Sequence, residues 1–127
     1  MVHFVGAGPG AVDLITVRGK ELIGHADIII YAGSLVNREL LLFAKKACRF
    51  YDSAYMTLAE VLGVMKQGEQ EGKDIVRLHT GDPSLYSAIR EQMDGLEKYH
   101  IAYEVCPGVS SFCAAAASLQ QEYTLPG

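Results

Sequence analysis

An α/β fold built on a parallel sheet is the architecture this sequence predicts, and three observations predict it. Short apolar runs alternate with segments of helical periodicity along the chain, the pattern of repeated strand–helix–strand units. The run Asp27-Ile28-Ile29-Ile30-Tyr31 is β-branched without polar alternation, which suits a strand covered on both faces. Four of the runs end in glycine-bearing turns of the kind that lead a strand into a helix. With 127 residues the chain has the size of one domain and can bury a core without covalent staples.

Composition narrows the function classes. Half of the residues are hydrophobic and a fifth are charged, which excludes a disordered or collagen-like chain. Fifteen acidic residues against eleven basic ones leave a net charge of −4, a field that repels phosphate backbones and argues against nucleic acid as a partner. Cys48, Cys106 and Cys113 are odd in number and show no CxxC spacing, so buried free thiols in a reducing compartment are expected, without a disulfide framework or a zinc site. His3, His25, His79 and His100 form no metal-like cluster. The start Met1-Val2-His3-Phe4-Val5-Gly6 lacks the regions of a signal peptide, and no apolar run approaches the ~20 residues of a membrane helix. A soluble, cytoplasmic protein without a metal is expected.

Element by element, the first strand covers 2–5 and ends in Gly6-Ala7-Gly8-Pro9-Gly10. A helix over 17–23 follows, with Thr16 as N-cap and Gly24 near its end. The second strand is 27–31, then a short helix over 38–44 capped by Asn37, then a weaker third strand over 48–51. Thr57-Leu58-Ala59-Glu60 is a capping box, and Leu58, Val61, Leu62 and Met65 recur at helical spacing to give one buried stripe, stopped at Gly72. The fourth strand is 74–79, a long helix covers 84–98, and the fifth strand is 101–106. A last helix begins near Ser110, and its Ala114 to Ala117 are small enough to pack closely on a sheet. Residues 1–120 read as one domain and 121–127, ending in Leu125-Pro126-Gly127, as the start of a linker.

Parallel sheets bind ligands in the crevice outside the carboxyl ends of their strands. Four loops at that edge carry glycine: Gly6 to Gly10, Gly33 after Tyr31-Ala32, Gly81 in Thr80-Gly81-Asp82-Pro83, and Gly108 in Pro107-Gly108-Val109-Ser110-Ser111. Any one of them has an ordinary structural reason, because such turns favour glycine; the set points to a ligand approached by bare main chain. Gly6, Gly8 and Ala11 match G-x-G-x-x-A, the dinucleotide fingerprint. Ala32, however, stands where the fingerprint needs an acid, Asp27 lies at the opposite end of its strand, and Pro9 removes an amide a phosphate would use. A dinucleotide is therefore disfavoured.

Asp82-Pro83 is the preferred pair for starting a helix, with Asp82 as N-cap and Pro83 at the first helical position, yet a capping carboxylate at a cleft can also face a cationic or hydroxylated ligand. Of Ser110 and Ser111, one is expected to cap the last helix and leave the other hydroxyl free. His79 is expected to pack rather than act as a base, and Tyr86 to pad the core or wall the cleft. No nucleophile–base arrangement and no carboxylate pair for hydrolysis is visible. These residues leave three classes open: an enzyme, a nucleotide-binding module, and an interaction domain whose glycines are mere turns.

Three motifs in order narrow the choice. Phe4-Val5-Gly6-Ala7-Gly8-Pro9-Gly10 with Asp13-Leu14-Ile15-Thr16 resembles the opening motif of the tetrapyrrole methylases. Val76-Arg77-Leu78-His79-Thr80-Gly81-Asp82-Pro83-Ser84-Leu85-Tyr86 resembles their second motif, and Val105-Cys106-Pro107-Gly108-Val109-Ser110-Ser111 their third. Tyr31-Ala32-Gly33-Ser34-Leu35-Val36 and Ala88-Ile89-Arg90-Glu91-Gln92 resemble most the branch acting on precorrin-4 or cobalt-precorrin-4 at ring carbon C-11 in cobalamin synthesis. Other precorrin methylases and diphthine synthase are the alternatives within the family. The resemblance implies a two-domain homodimer whose first domain has five parallel strands in the order 3-2-4-1-5. It also implies S-adenosyl-L-methionine as cofactor, held between the domains and released as S-adenosyl-L-homocysteine. By position the cofactor contacts are Pro9, Thr80, Gly81, Asp82, Leu85, Ser110 and Ser111. Ala11 stands where many members have aspartate after the glycine loop. Ala32 and the segment near Ala54 lack the aspartate and lysine proposed as acid–base residues in the related uroporphyrinogen III methylases, so no catalytic base is assigned and uroporphyrinogen III is disfavoured as substrate. Arg18, Arg38 and Arg90 are the candidate cations for a polycarboxylate macrocycle.

Overall fold

The computed structural model describes residues 1–85 and 87–124. The readings of Tyr86 and of Leu125-Pro126-Gly127 therefore lie outside the described residues. Five parallel strands make one sheet: β1 Val2–Gly6, β2 Ile28–Tyr31, β3 Arg49–Asp52, β4 Ile75–His79 and β5 Tyr103–Cys106. Their spatial order is β3-β2-β4-β1-β5, as the resemblance implied. Gly6 lies opposite His79, Val5 opposite Cys106 and Tyr31 opposite Leu78, so the strands finish level with one another at a single edge. That register is what brings the glycine loops together.

Both faces of the sheet are covered, which explains the unbroken apolar strands. Ile29 faces a core with Val5, Ile23, Val76 and Leu78, while Ile28 and Ile30 face another with Phe4, Met65, Ile75 and Leu96. The first core is closed by helix α1 (Val17–His25), capped as expected by Thr16, whose hydroxyl accepts from the Gly19 amide at 2.9 Å. The second is closed by α2 (Leu58–Gln70) and α3 (Ile89–Lys98). In the α2 capping box the Thr57 hydroxyl accepts from the Glu60 amide and the Glu60 carboxylate from the Thr57 amide, both at 3.1 Å. Val61 and Met65 are buried, but Leu58 in the first turn is exposed and Gly68 continues the stripe instead. A Cβ at Gly68 would lie 2.8 Å from Ile75 Cδ1, so glycine lets α2 come down onto the sheet.

The short helix expected behind Asn37 forms, in 3₁₀ geometry, whereas the long helix expected before β5 and the packing of the last helix depart from expectation. Residues Arg38–Phe43 form a 3₁₀ helix, tightened behind Asn37, whose side chain accepts from the Glu39 amide at 3.0 Å. The helix expected over 84–98 begins only at Ile89. Asp82 does cap, but it caps a tight turn: the Leu85 amide donates to the Asp82 carbonyl at 3.1 Å and the Ser87 hydroxyl to the Leu85 carbonyl at 3.3 Å. Such side-chain competition for the backbone diverts a helix start. Finally, α4 (Ser111–Leu119) buries none of its residues, so Ala114 to Ala117 do not pack closely on the sheet and Cys113 is exposed, while Cys48 and Cys106 are buried. The neighbouring strand β5 is an edge strand whose Glu104 and Val105 are themselves exposed. Among the described residues no helix is long and apolar enough to cross a membrane.

Candidate functional site

Backbone hydrogen bonds weld the loops at the carboxyl edge. The Ala7 amide donates to the His79 carbonyl at 2.6 Å, the Gly8 amide to the Gly81 carbonyl at 3.2 Å, and the Gly81 amide back to Gly8 at 2.8 Å. Gly8 and Gly81 both hold positive φ, 82° and 62°, which an L side chain resists. Gly6 is different: a Cβ there would lie 2.5 Å from the Gly81 oxygen and 2.6 Å from Gly108 Cα. Gly6 and Gly108 therefore serve loop-on-loop contact, not the ligand approach expected of bare main chain. Their role is to let three strand ends touch.

The touching loops frame a cavity of about 240 Å³. Thr80, Gly81, Asp82, Leu85, Ser110 and Ser111, six of the seven expected cofactor residues, line it. Pro9 follows the Gly8–Gly81 bridge in the chain but is not among the lining residues. Leu35, Ser87 and Phe112 complete the wall, and they were not singled out from the sequence. Leu35 follows the Gly33 loop and Ser87 sits in the Asp82 turn, so membership of those loops was the available signal. Leu35, Leu85 and Phe112 are exposed apolar side chains beside hydroxyls, the mixed lining typical of small-molecule sites.

Asp82 organises this cavity. One carboxylate oxygen accepts from the Ser84 amide at 2.8 Å and the other from the Gly108 amide at 3.0 Å, tying the β4 and β5 loops together. Partial burial pushes its carboxyl up, but the amides of Gly108 and Ser84 pull harder and hold it below the ordinary aspartate range. Ser110 is the capping serine, accepting from the Phe112 amide at 3.2 Å; among the described residues the Ser111 hydroxyl has no partner. Replacing Asp82 with alanine should lower stability by about 1–2 kcal/mol, because two amides lose their acceptor, and should loosen the cavity. Urea titration checks the first effect; wild-type stability in the variant would contradict the clamp.

His79, as expected, packs: it is 3% exposed and stacks on Phe4, with ring centroids 6.1 Å apart. Of the candidate cations, Arg90 alone lines a hollow next to the cavity, one of about 430 Å³ that shares Ser87 with it. Arg38 lies over the Tyr31 ring, 5.9 Å from its centroid, and neither it nor Arg18 lines these two hollows. Asp27 sits at the amino end of β2, where it accepts from Lys45 Nζ at 2.6 Å and the Asp74 amide at 2.8 Å; its role is structural. Larger hollows of about 590 and 680 Å³, between β3 and α2 and between α1 and the 38–43 segment, contain none of the expected cofactor residues. Volume alone does not mark a site; convergence of strand-end loops does.

Comparison with known proteins follows the same lines. The family model described as Tetrapyrrole (Corrin/Porphyrin) Methylases matches residues 1–127. A cobalt-precorrin-4 C(11)-methyltransferase of Methanocaldococcus jannaschii is 58% identical over 125 residues, covering 98% of this chain and 48% of that protein. A solved cobalt precorrin-4 methyltransferase superposes with a TM-score of 0.95 at 45% identity, over 98% of this chain and 52% of that one. A uroporphyrin-III C-methyl transferase from Thermus thermophilus, solved in complex with S-adenyl homocysteine, gives a TM-score of 0.76 at 28% identity, over 91% and 47% of the two chains. The chain thus spans about half the length of the curated relatives it matches.

Proposed function

The chain belongs to the tetrapyrrole methylases, and from that membership we propose that its loop-edge cavity is one share of an S-adenosylmethionine site. The whole protein, on this reading, methylates precorrin-4 or cobalt-precorrin-4 at C-11 in cobalamin synthesis. The observation that carries the reading is the convergence of Thr80, Gly81, Asp82, Leu85, Ser110 and Ser111 on one cavity. Its volume, about 240 Å³, falls below the ~300–1,000 Å³ usual for a complete small-molecule pocket, which suits a site completed by further chain. Residues 1–120 are then the amino-terminal domain and 121–127 lead toward a second. Three free cysteines suit a reducing compartment such as the cytoplasm, and the family resemblance suits a homodimer.

The lining fits the group. Leu35, Leu85 and Phe112 offer apolar surface to an adenine ring, and Thr80 and Ser111 offer hydroxyls. Asp82 places negative charge where a sulfonium or ammonium group would be held. When bound, S-adenosylmethionine supplies an electrophilic methyl group for in-line displacement by a ring carbon. This chain's residues bind, orient and exclude water; no lysine, histidine or second carboxylate lines the cavity among the described residues. Arg90 lines the adjoining hollow, where on this reading it would meet a macrocycle carboxylate. Pro9 stays in the proposed contact set through its place beside the Gly8–Gly81 bridge.

Equilibrium dialysis of the chain against S-adenosylhomocysteine and NAD tests the reading. A preference of about tenfold or more for S-adenosylhomocysteine is expected, with weak absolute affinity and poor turnover. Equal retention of NAD would overturn the assignment, and robust methylation of precorrin-4 by the 127-residue chain would contradict a shared site.

A further inference from the structure

Two buried polar side chains lie outside the cavity and take no part in it. Arg77, on the central strand β4, is 7% exposed, and Gln92, in the first turns of α3, is 6% exposed. Arg77 Nε donates to Gln92 Oε1 at 3.0 Å and Nη1 to the Ile30 carbonyl of β2 at 3.4 Å. Among the described residues no carboxylate pairs with this guanidinium, and burial draws its pKa down to about 10. A buried cation held only by neutral acceptors is a poor stabilising device: well-packed apolar replacements are often as stable or more so. Its directional hydrogen bonds do something apolar contact does not. They tie the first turns of α3 to the central strands, as the Tyr103 hydroxyl, donating to Glu97 at 2.6 Å, ties its last turn to β5.

The tie at the first turns matters because of what α3 anchors. The segment between Asp82 and Ile89 carries Leu85 and Ser87 into the cavity wall. At its start Asp82 is clamped to Ser84 and Gly108. At its end Ala88 holds a left-handed conformation, φ 50°, which a non-glycine residue keeps only when its surroundings over-determine it. Besides Gln92, α3 is held by buried Leu96, half-buried Ile89 and Met93, Gly95 set closely against Leu62, and, in its last turn, Glu97, which accepts from the Tyr103 hydroxyl of β5 at 2.6 Å. In the first turns, beside the segment that ends at Ala88, the polar hold is Gln92 on Arg77.

We propose that Arg77 and Gln92 are positioning residues: their hydrogen bond, braced on the Ile30 carbonyl, sets the first turns of α3 and thereby holds Leu85 and Ser87 in the cavity wall. The proposal rests on the cofactor reading only for its consequence in binding.

The test compares Arg77→Met/Gln92→Leu with Gln92→Glu in the same chain. The double variant removes the polar pair without leaving a buried charge; Gln92→Glu keeps an acceptor for Arg77 and strengthens the bond. Amide hydrogen exchange by mass spectrometry should show residues 83–90 opening about tenfold faster in the double variant, with an unchanged thermal midpoint and unchanged exchange in β1, β2 and β4. S-adenosylhomocysteine should bind it about tenfold more weakly or worse, as sub-ångström misplacement of a wall predicts. Gln92→Glu should match the wild type in both. Wild-type exchange in the double variant overturns the proposal. So does its global unfolding, because the pair would then carry stability rather than position, and so does loss of protection in Gln92→Glu. Exchange needs no ligand, so failure of the cofactor reading would appear separately, as absence of binding by the wild type.

Discussion

Gly108→Ala is expected to destabilise this chain by about 3 kcal/mol or more, the upper range for overpacking a site that has no room to relax. An added Cβ would overlap the Gly81 carbonyl oxygen and lie 2.8 Å from Gly6 Cα. Both obstacles are backbone, and both are pinned: Gly81 by its two hydrogen bonds to Gly8, Gly6 by pairing with β4. Neither can rotate away as a side-chain tip would. Relief therefore requires the β5 loop to lift, which breaks the Gly108 amide's bond to Asp82 and opens the cavity. Gly6→Ala should behave alike, since it meets the same carbonyl from the other side. Gly63→Ala is the control: its added methyl meets nothing within 4 Å, and replacing glycine within α2 should stabilise by up to about 1 kcal/mol. Urea unfolding of the three variants checks the order. Near-native stability in Gly108→Ala would show that the loops are not locked as described.

Acid is expected to have the second large effect, through His79. Burial, and then the neighbouring Arg77 charge, draw the imidazole pKa from 6.5 down to about 3. Its Nε2 has no hydrogen-bond partner among the described residues, so nothing favours protonation. Between those two pH values the unfolded chain binds a proton that the folded chain refuses. Stability is therefore fully present above about pH 6.5 and declines as pH falls toward 3, by about 5 kcal/mol in full. A loss of that size is comparable with the whole stability of a small domain. Asp27 and Asp82 have lowered pKa values, so their contributions are lost only below the ordinary aspartate range and leave the window from pH 6.5 to 4.5 to histidine. His79→Leu keeps the apolar contact with Phe4, removes the orphaned nitrogen and should flatten the curve in that window. Comparison of variant and wild type cancels the other histidines. Matching acid sensitivity in the two proteins would place the titrating group elsewhere.

Much of this was legible in one dimension because it is local. Ile28, Ile29 and Ile30 announce a strand buried on both sides, and Thr57 with Glu60 announces a helix start whose two hydrogen bonds both form. Asp82, Ser110 and Ser111 stood out because capping residues at strand ends have few places to go. What failed was decided partly at a distance. Asp-Pro suggested a long helix, but the second oxygen of Asp82 is committed to Gly108, twenty-six positions away, and the turn follows that bond. The alanines of α4 suggested packing, but spacing cannot say whether anything lies above an edge strand.

By itself, then, the order of residues determined which stretches extend, most of those that coil and which edge of the sheet gathers hydroxyls and glycine, since each depends on neighbours a few bonds apart. Tertiary structure alone decided that Gly6 and Gly108 exist to let loops touch, that Pro9 stands outside the cavity lining while Leu35 and Phe112 join it, and that Arg77 reaches Gln92. The reason is physical. Close approach, burial and hydrogen bonding between strand ends depend on a register among β1, β4 and β5 that only simultaneous packing of both sheet faces establishes.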